Sequence, residues 1–413
     1  MSNNDFIVSL DIGTSKVRVI IGEIVNGTIN IIGVGSSESE GLRKGAIVDI
    51  DQTVHSIRQA VSHAERMVGI QISQVYVGIN GGHIALLASS GVVAVANEDR
   101  EIGGEDIERV IQASRVIALQ PDREIIDVVP KQFIVDGQEG INDPRGMIGT
   151  RLEIEATMIT GAKTFIHNLF RVVEKSDLKV ADLILMSLAS GQLILSKDEK
   201  SVGTVLVDIG AGSTTIAIFD QGHIVETSIV PIGGDFISND ICIGLQTQMD
   251  IAQKIKLKYG CASIDYSSSD ITFRVTRMGS TVEKEFSQID LAHIIEPRVQ
   301  EMFQMIHDEV GRLGYAKKVS SYVLTGGTVS LSHILVIAQE ELHFPVRIAT
   351  PDFIGVRDPS FSNGVGIIQF VTKYKKHRST QTLSSKKQTK GYKSQSPKPS
   401  LFERFKELFK DFI

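Results

Sequence analysis

The chain has no tryptophan, only two cysteines (Cys242 and Cys261), and no basic leader ahead of an apolar stretch at its start. Each absence removes a class of protein. Two cysteines at that spacing fit no metal motif, so they are expected to be structural thiols in a reducing compartment. The opening MSNNDFIVSLDIG lacks the pattern of a secretory signal. No run of about 18 apolar residues occurs, so no bilayer-spanning helix is expected. The ten histidines form no ligand cluster and no nucleophile triad. A chain that works inside the cell is the expectation.

What is present is a chain of 413 residues with 42% hydrophobic content, ordinary for a soluble α/β protein of several core-bearing units. Its net charge of −6 is unevenly spread. Residues 373–399 hold nine lysines and arginines and no acid, so the body before them is strongly acidic. An acidic body repels phosphodiester backbones, which argues against nucleic acid, whereas the basic stretch suits anionic lipid.

An internal repeat organises the chain. Residues 7–24 read IVSLDIGTSKVRVIIGEI and residues 204–222 read TVLVDIGAGSTTIAIFDQG. Each is a β-rich apolar run ending in Asp-Ile-Gly, a small-residue turn, and a second β-rich run. Two similar halves, each opening with a β-hairpin, are expected. Apolar spacing predicts helices over 52–69, 104–119, 164–176, 290–312 (with Pro297 inside) and 332–342. Residues 83–162 carry strands near 84–95, 124–129, 132–136 and 151–160 around the second helix, enough for a small α+β insert in the first half. A second insert covers 244–303. The body is expected to end near Tyr374, followed by a disordered Lys/Ser/Thr/Gln linker over 375–399.

A strand feeding a Gly/Ser/Thr turn concentrates backbone N–H groups and hydroxyls, as a phosphate chain requires. Asp11-Ile12-Gly13-Thr14-Ser15-Lys16 is one such turn, and Asp208-Ile209-Gly210-Ala211-Gly212-Ser213-Thr214 is another. One Asp-x-Gly turn is a common structural solution; two copies, each opening a half, point to phosphate. Asp11 and Asp208 suit Mg²⁺, directly or through water. A third element, Val323-Leu324-Thr325-Gly326-Gly327-Thr328, ends a strand in paired glycines that let backbone approach a flat base.

These three elements, in this order, resemble the actin, Hsp70 and sugar-kinase ATPase superfamily. The resemblance implies an actin-like α/β fold with two RNase H-like halves around an ATP·Mg²⁺ cleft. It places Gly13–Lys16 and Gly210–Thr214 on opposite sides of the phosphates, and Gly326, Gly327 and Thr328 beside the adenosine. Gly233, Gly234 and Asp235, with Gln253 and Lys254, then line the ribose side. Two departures count against fast hydrolysis. Met186 stands where the resemblance leads one to expect a water-positioning Glu or Gln, and Gln253 where it leads one to expect Glu; a thioether cannot orient water.

Phrases such as Val129-Pro130-Lys131-Gln132-Phe133, Asp143-Pro144-Arg145-Gly146-Met147, Val230-Pro231-Ile232-Gly233-Gly234-Asp235 and Glu296-Pro297-Arg298 resemble the FtsA family of bacterial division proteins over about residues 6–370. That resemblance implies subdomains 1A (1–82, 163–197, 350–374), 1C (83–162), 2A (198–243, 304–349) and 2B (244–303). It also implies filament formation, recruitment of other divisome proteins, and capture of the C-terminal peptide of FtsZ near Arg298, with Arg274 as a weaker candidate. A surface structural arginine is the plain alternative for Arg298, and a solvated face for Lys254, Lys256 and Lys258.

The end of the chain is read separately. Ser400-Leu401-Phe402-Glu403 is a capping box. Leu401, Phe402, Phe405, Leu408, Phe409, Phe412 and Ile413 then share one helical face. A helix of about 20 Å is too short to cross a hydrocarbon core of roughly 30 Å, so it is expected to lie in the interface. The alternative is docking on protein. The whole points to an ATP-binding adaptor on the cytoplasmic face of the membrane at the division septum. A PilM-like pilus adaptor, a sugar or metabolite kinase and an MreB-like shape protein fit the tail or the insert less well.

Overall fold

The computed structural model describes residues 5–43, 45–279 and 282–385. The residues expected to form the interfacial helix, Leu401 to Ile413, lie outside the described ones. The chain divides into a unit Met1–Thr372 and a second unit Lys373–Ile413.

The first unit opens with strands β1 (Asp5–Ile12), β2 (Lys16–Val25) and β3 (Thr28–Glu38), then a two-residue ladder of β4 (Leu42–Arg43) and β5 (Ala46–Ile47). Helix α1 (Ile50–Val68) and strand β6 (Gln74–Ile79) follow. The Asp49 side chain accepts from the Gln52 amide at 3.0 Å to start α1, and Gly69 at φ +75° ends it. Its buried face is Val54, Ile57, Ala60, Val61 and Ala64.

The chain then enters the insert: β7 (Ile84–Ala94), α2 (Gly104–Ser114), β8 (Arg123–Val135), β9 (Gln138–Ile141) and β10 (Arg151–Ala162). It returns through α3 (Lys163–Lys175), β11 (Lys179–Leu185), α4 (Met186–Ile194) and α5 (Lys197–Ser201). The second half runs β12 (Thr204–Ile209), β13 (Thr214–Asp220), β14 (His223–Val230), α6 (Gly234–Leu245), α7 (Met249–Tyr259), β15 (Thr272–Thr276), β16 (Glu283–Ser287), α8 (Gln288–Arg312), β17 (Ser321–Thr325), α9 (Ile334–Leu342) and β18 (Val346–Ile348). Helix α10 (Ser362–Ser385) comes last.

The expected duplication is visible in the sheets. One has the order β3-β2-β1-β6-β11 and the other β14-β13-β12-β17-β18. In each, the first three strands in sequence pair antiparallel and the last two join parallel. Strand β12 is buried along almost its whole length, which its continuous apolar run TVLV anticipates. The insert is a separate sheet, β7-β10-β8-β9, with α2 against it and a core of its own around Ile102, Val110, Leu152 and Met158.

Three local expectations differ. The expected strands 124–129 and 132–136 are one strand, β8, with Pro130 set against Ala156 beside a register shift. A bulge is where a sheet tolerates a residue lacking an N–H. Helix α2 stops at Ser114 rather than 119, leaving Val116 exposed. Helix α10 continues past Tyr374 to Ser385, into residues expected to be disordered. No glycine or proline stands between Gly366 and Gly391 to stop it.

Candidate nucleotide-binding cleft

The two Asp-Ile-Gly turns close in the same way. Gly13 N–H donates to the Lys16 carbonyl at 3.1 Å and Gly210 N–H to the Ser213 carbonyl at 3.0 Å. Each turn joins two paired strands, so Asp11 faces Arg18 across β1/β2 and Asp208 faces Thr215 across β12/β13. The turns meet: a Cβ on Gly212 would come within 2.8 Å of the Thr14 methyl. Asn80, just past β6, spans the same seam by donating from Nδ2 to Thr215 Oγ1 at 2.7 Å.

Between the lobes lies a cavity of about 520 Å³. Its walls include Asp11, Gly13 to Lys16, Asp208, Gly210 to Ser213, Gly234, Asp235, Gln253, Gly326, Gly327 and Thr328. Asp11 is only 6% exposed. Burial pushes its carboxyl up to about 6, with Arg18 opposing the rise and Asp208 adding to it. Burial raises Asp208 as well, against a 2.8 Å hydrogen bond from Asn363 Nδ2 and the charge of Arg18. Two shielded carboxylates pushed toward the neutral form suit a divalent cation. Among the described residues no group of three His, Cys, Asp or Glu side chains stands together, so most ligands of such an ion would be phosphate and water oxygens. The fit is good for a cation that arrives with a nucleotide.

The rest of the wall is tied to these turns. Gly234 N–H donates to the Gly210 carbonyl at 3.0 Å and Asp235 N–H to the Ala211 carbonyl at 2.9 Å, so the α6 N-terminus sits on the second turn. Thr328 Oγ1 also donates to the Gly210 carbonyl, at 2.8 Å. Gly326 has φ +95°, and a Cβ there would collide with the Asp208 carboxylate and the Ile209 backbone, so only glycine fits.

Several candidate residues stand elsewhere than expected. Lys254 does not reach the cavity. Lys256 does, its Nζ donating to the Gly234 carbonyl at 2.7 Å, because two positions along a helix turn a side chain to nearly the opposite face. Burial lowers Lys256 to about 8, with Asp235 pulling the other way. Thr214 is buried behind the turn, its hydroxyl donating to the Ile232 carbonyl at 2.8 Å, and Gly233 serves as N-cap of α6. Met186 lines the cavity and packs on Gly78, where a Cβ would fall 2.7 Å from its Cγ.

Arg298 pairs with Asp240 of α6 and with Glu301, so its guanidinium is already engaged by carboxylates of the same lobe and is raised above its ordinary value. Arg274 lies on β15 opposite Glu285 of β16. Sequence reasoning missed Arg18, Asn80 and Asn363. A turn signal, Asn80-Gly81-Gly82, marked one of them, and nothing local marked the other two.

The family described as "Cell division protein FtsA" matches residues 205–366, and "SHS2 domain inserted in FTSA" matches 81–160. The cell division protein FtsA of Bacillus subtilis (strain 168) is 48% identical over 370 residues, 90% of this chain and 84% of that protein. FtsA of Pseudomonas aeruginosa is 38% identical over 413 residues, 98% of both chains, and that of Escherichia coli (strain K12) 32% identical over 383 residues, 89% and 91%. Among solved structures, the PilM-PilN type IV pilus biogenesis complex aligns with a TM-score of 0.60 at 13% identity, over 89% of this chain and 98% of that one. MreB5 of Spiroplasma citri bound to ADP aligns at 0.54 and 13%, over 91% and 98%. At such identities the likeness is one of fold, and the fold is that of the actin-like ATPases.

Proposed function

The chain belongs to the FtsA family of cell division proteins, and from that premise we propose that it is an ATP-binding, membrane-attached adaptor of the division machinery. In this reading it binds ATP with Mg²⁺ in the cleft, assembles with further copies into filaments, holds the C-terminal peptide of FtsZ, and recruits later division proteins. The observation that supports the nucleotide part is the pair of matching turns that meet at Gly212 and Thr14, with Asp11 buried and Asp208 half-buried behind them. Asp11 and Asp208 would hold Mg²⁺ that arrives with the nucleotide, directly or through water. There it would neutralise charge that Arg18 alone offsets incompletely.

Hydrolysis is expected to be slow. Apart from Asp11 and Asp208, the carboxylates that line the cavity are Asp235 and Asp358, and Met186, which also lines it, offers a thioether that cannot orient water. The basic residues of 373–399 and the apolar residues among Leu401 to Ile413 would supply the membrane part, with anionic lipid as the counterpart. Among the described residues no helix is long and apolar enough to cross a membrane.

Co-sedimentation with anionic vesicles in the presence of Mg·ATP tests the reading, comparing the full chain with one ended after Tyr374. The full chain should pellet and the shortened chain should stay in solution while still binding ATP. If both remain in solution with ATP bound, the terminal segment docks on protein and the membrane part is lost.

A further inference from the structure

The insert is reached from the cleft across three residues. Asn80 follows β6 directly, lines the cavity, and donates from lobe one to Thr215 of lobe two. Gly81 follows at φ +126°, a conformation side chains rarely adopt. Gly82 has open space around it, and β7 begins at Ile84. The root of the insert is fixed on its other side. The His83 carbonyl accepts from Ala162 N–H at 3.1 Å and from Arg123 at 3.1 Å, and its ring stacks on Phe165 at 4.8 Å. Strand β7 also lies against β14 of the second lobe. The insert therefore rests on both lobes and is joined to the cleft by a glycine pair.

The Asn80–Thr215 bond joins two neutral groups at the seam where the phosphate turns meet. A terminal phosphate entering there offers charged acceptors to the Asn80 amide and the Thr215 hydroxyl alike. Charge-assisted bonds outweigh the neutral one, so both donors would turn to the phosphate and the cross-lobe bond would open. A diphosphate, one group shorter, leaves that bond in place.

We propose that Asn80 is the residue by which this cleft distinguishes a nucleoside triphosphate from a diphosphate, and that Gly81-Gly82 carries the difference to the insert. The inference rests on the nucleotide reading of the cleft. It adds a specificity-determining side chain and a mechanical output to that reading.

Hydrogen exchange on the full chain with Mg²⁺ and either a non-hydrolysable ATP analogue or ADP tests it, alongside the two affinities. In the unaltered chain, exchange across residues 84–95 should differ between the two nucleotides. Asn80→Ala should lower the ATP-to-ADP affinity ratio about tenfold and abolish that difference. Asn80→Asp, equal in size but charged, should lower it further by repelling the terminal phosphate. Gly82→Ala meets no neighbour, so it should fold normally and keep the affinity ratio, while the response at 84–95 shrinks by half or more.

An unchanged ratio in both Asn80 variants overturns the role of Asn80. A full response in Gly82→Ala overturns the relay. If the unaltered chain binds neither nucleotide, the nucleotide reading itself falls, a result separate from either of these.

Discussion

Asp11 carries the clearest pH signature. Its folded carboxyl titrates at about 6 against an ordinary 3.8, so the folded chain keeps a proton that the unfolded chain has released. Its contribution to stability is full below 3.8 and is lost as pH rises through 6, a change on the order of 3 kcal/mol. Burial moves Asp208 in the same direction. Calorimetry of the nucleotide-free chain between pH 4.5 and 7.5 should show this slope, and Asp11→Asn should flatten it while weakening Mg²⁺-dependent ATP binding. An identical slope in the variant would remove Asp11 from the account. Two neighbours extend the argument. Gly326→Ala should cost at least tenfold in ATP affinity, because its Cβ displaces Asp208 or bends the β17 turn. Met186→Leu should leave any ATP turnover within about twofold, since only packing against Gly78 is exchanged. Most of these residues were legible because the two turns announce themselves twice. Of the alternate lysines, Lys256 and Lys258 line the cavity and Lys254 does not, and the run itself does not say which of them face inward. Asn363 went unseen because it reaches the site from α10 by tertiary packing, and Arg18 because a charged residue in the second strand of the hairpin carries no signal of its own, although pairing sets it opposite Asp11.

At the scale of elements, periodicity and caps carried the reading and interruptions spoiled it. Helix α8 was legible over 290–312 but starts earlier, at a capping box the reading passed over: the Ser287 side chain accepts from Asp290 N–H, and the Asp290 carboxylate accepts from Ser287 N–H. That box starts a helix long enough to absorb Pro297 at its middle, where the His293 carbonyl loses its usual donor. Ser287→Ala should lower stability by about 1 kcal/mol in urea titration. The failures have physical causes too. Pro130 reads as a break, yet the sheet accommodates it at a bulge. The apolar Val116 and Ile117 extend the helical pattern of α2 beyond its last hydrogen-bonded turn at Ser114.

At the scale of the molecule, two sheets of one strand order leave a cleft between them, and whatever fills it joins them. Mg·ATP at a hundred times its dissociation constant should stabilise the chain by about 2.7 kcal/mol. Thermal melting with and without nucleotide measures this, and at the same ATP concentration the shift should fall by about half or more in Gly326→Ala. The duplication was legible in the amino-acid order because each half opens on the same motif. The way each core closes was not, since that depends on contacts distant in sequence.

That closure has a consequence for synthesis. The core of the second lobe is built from residues Val205 to Val346, one continuous stretch of chain. The core of the first begins with Ile7 and Val8 but also needs Val365, Ile367, Ile368, Phe370 and Val371 of α10, with Ile368 set against Gly22 and Ile367 against Gly78. A ribosome delivers those residues long after the strands they cover. The half that is translated first is thus completed last, and the face of its sheet away from α1 waits uncovered while the other half folds beside it.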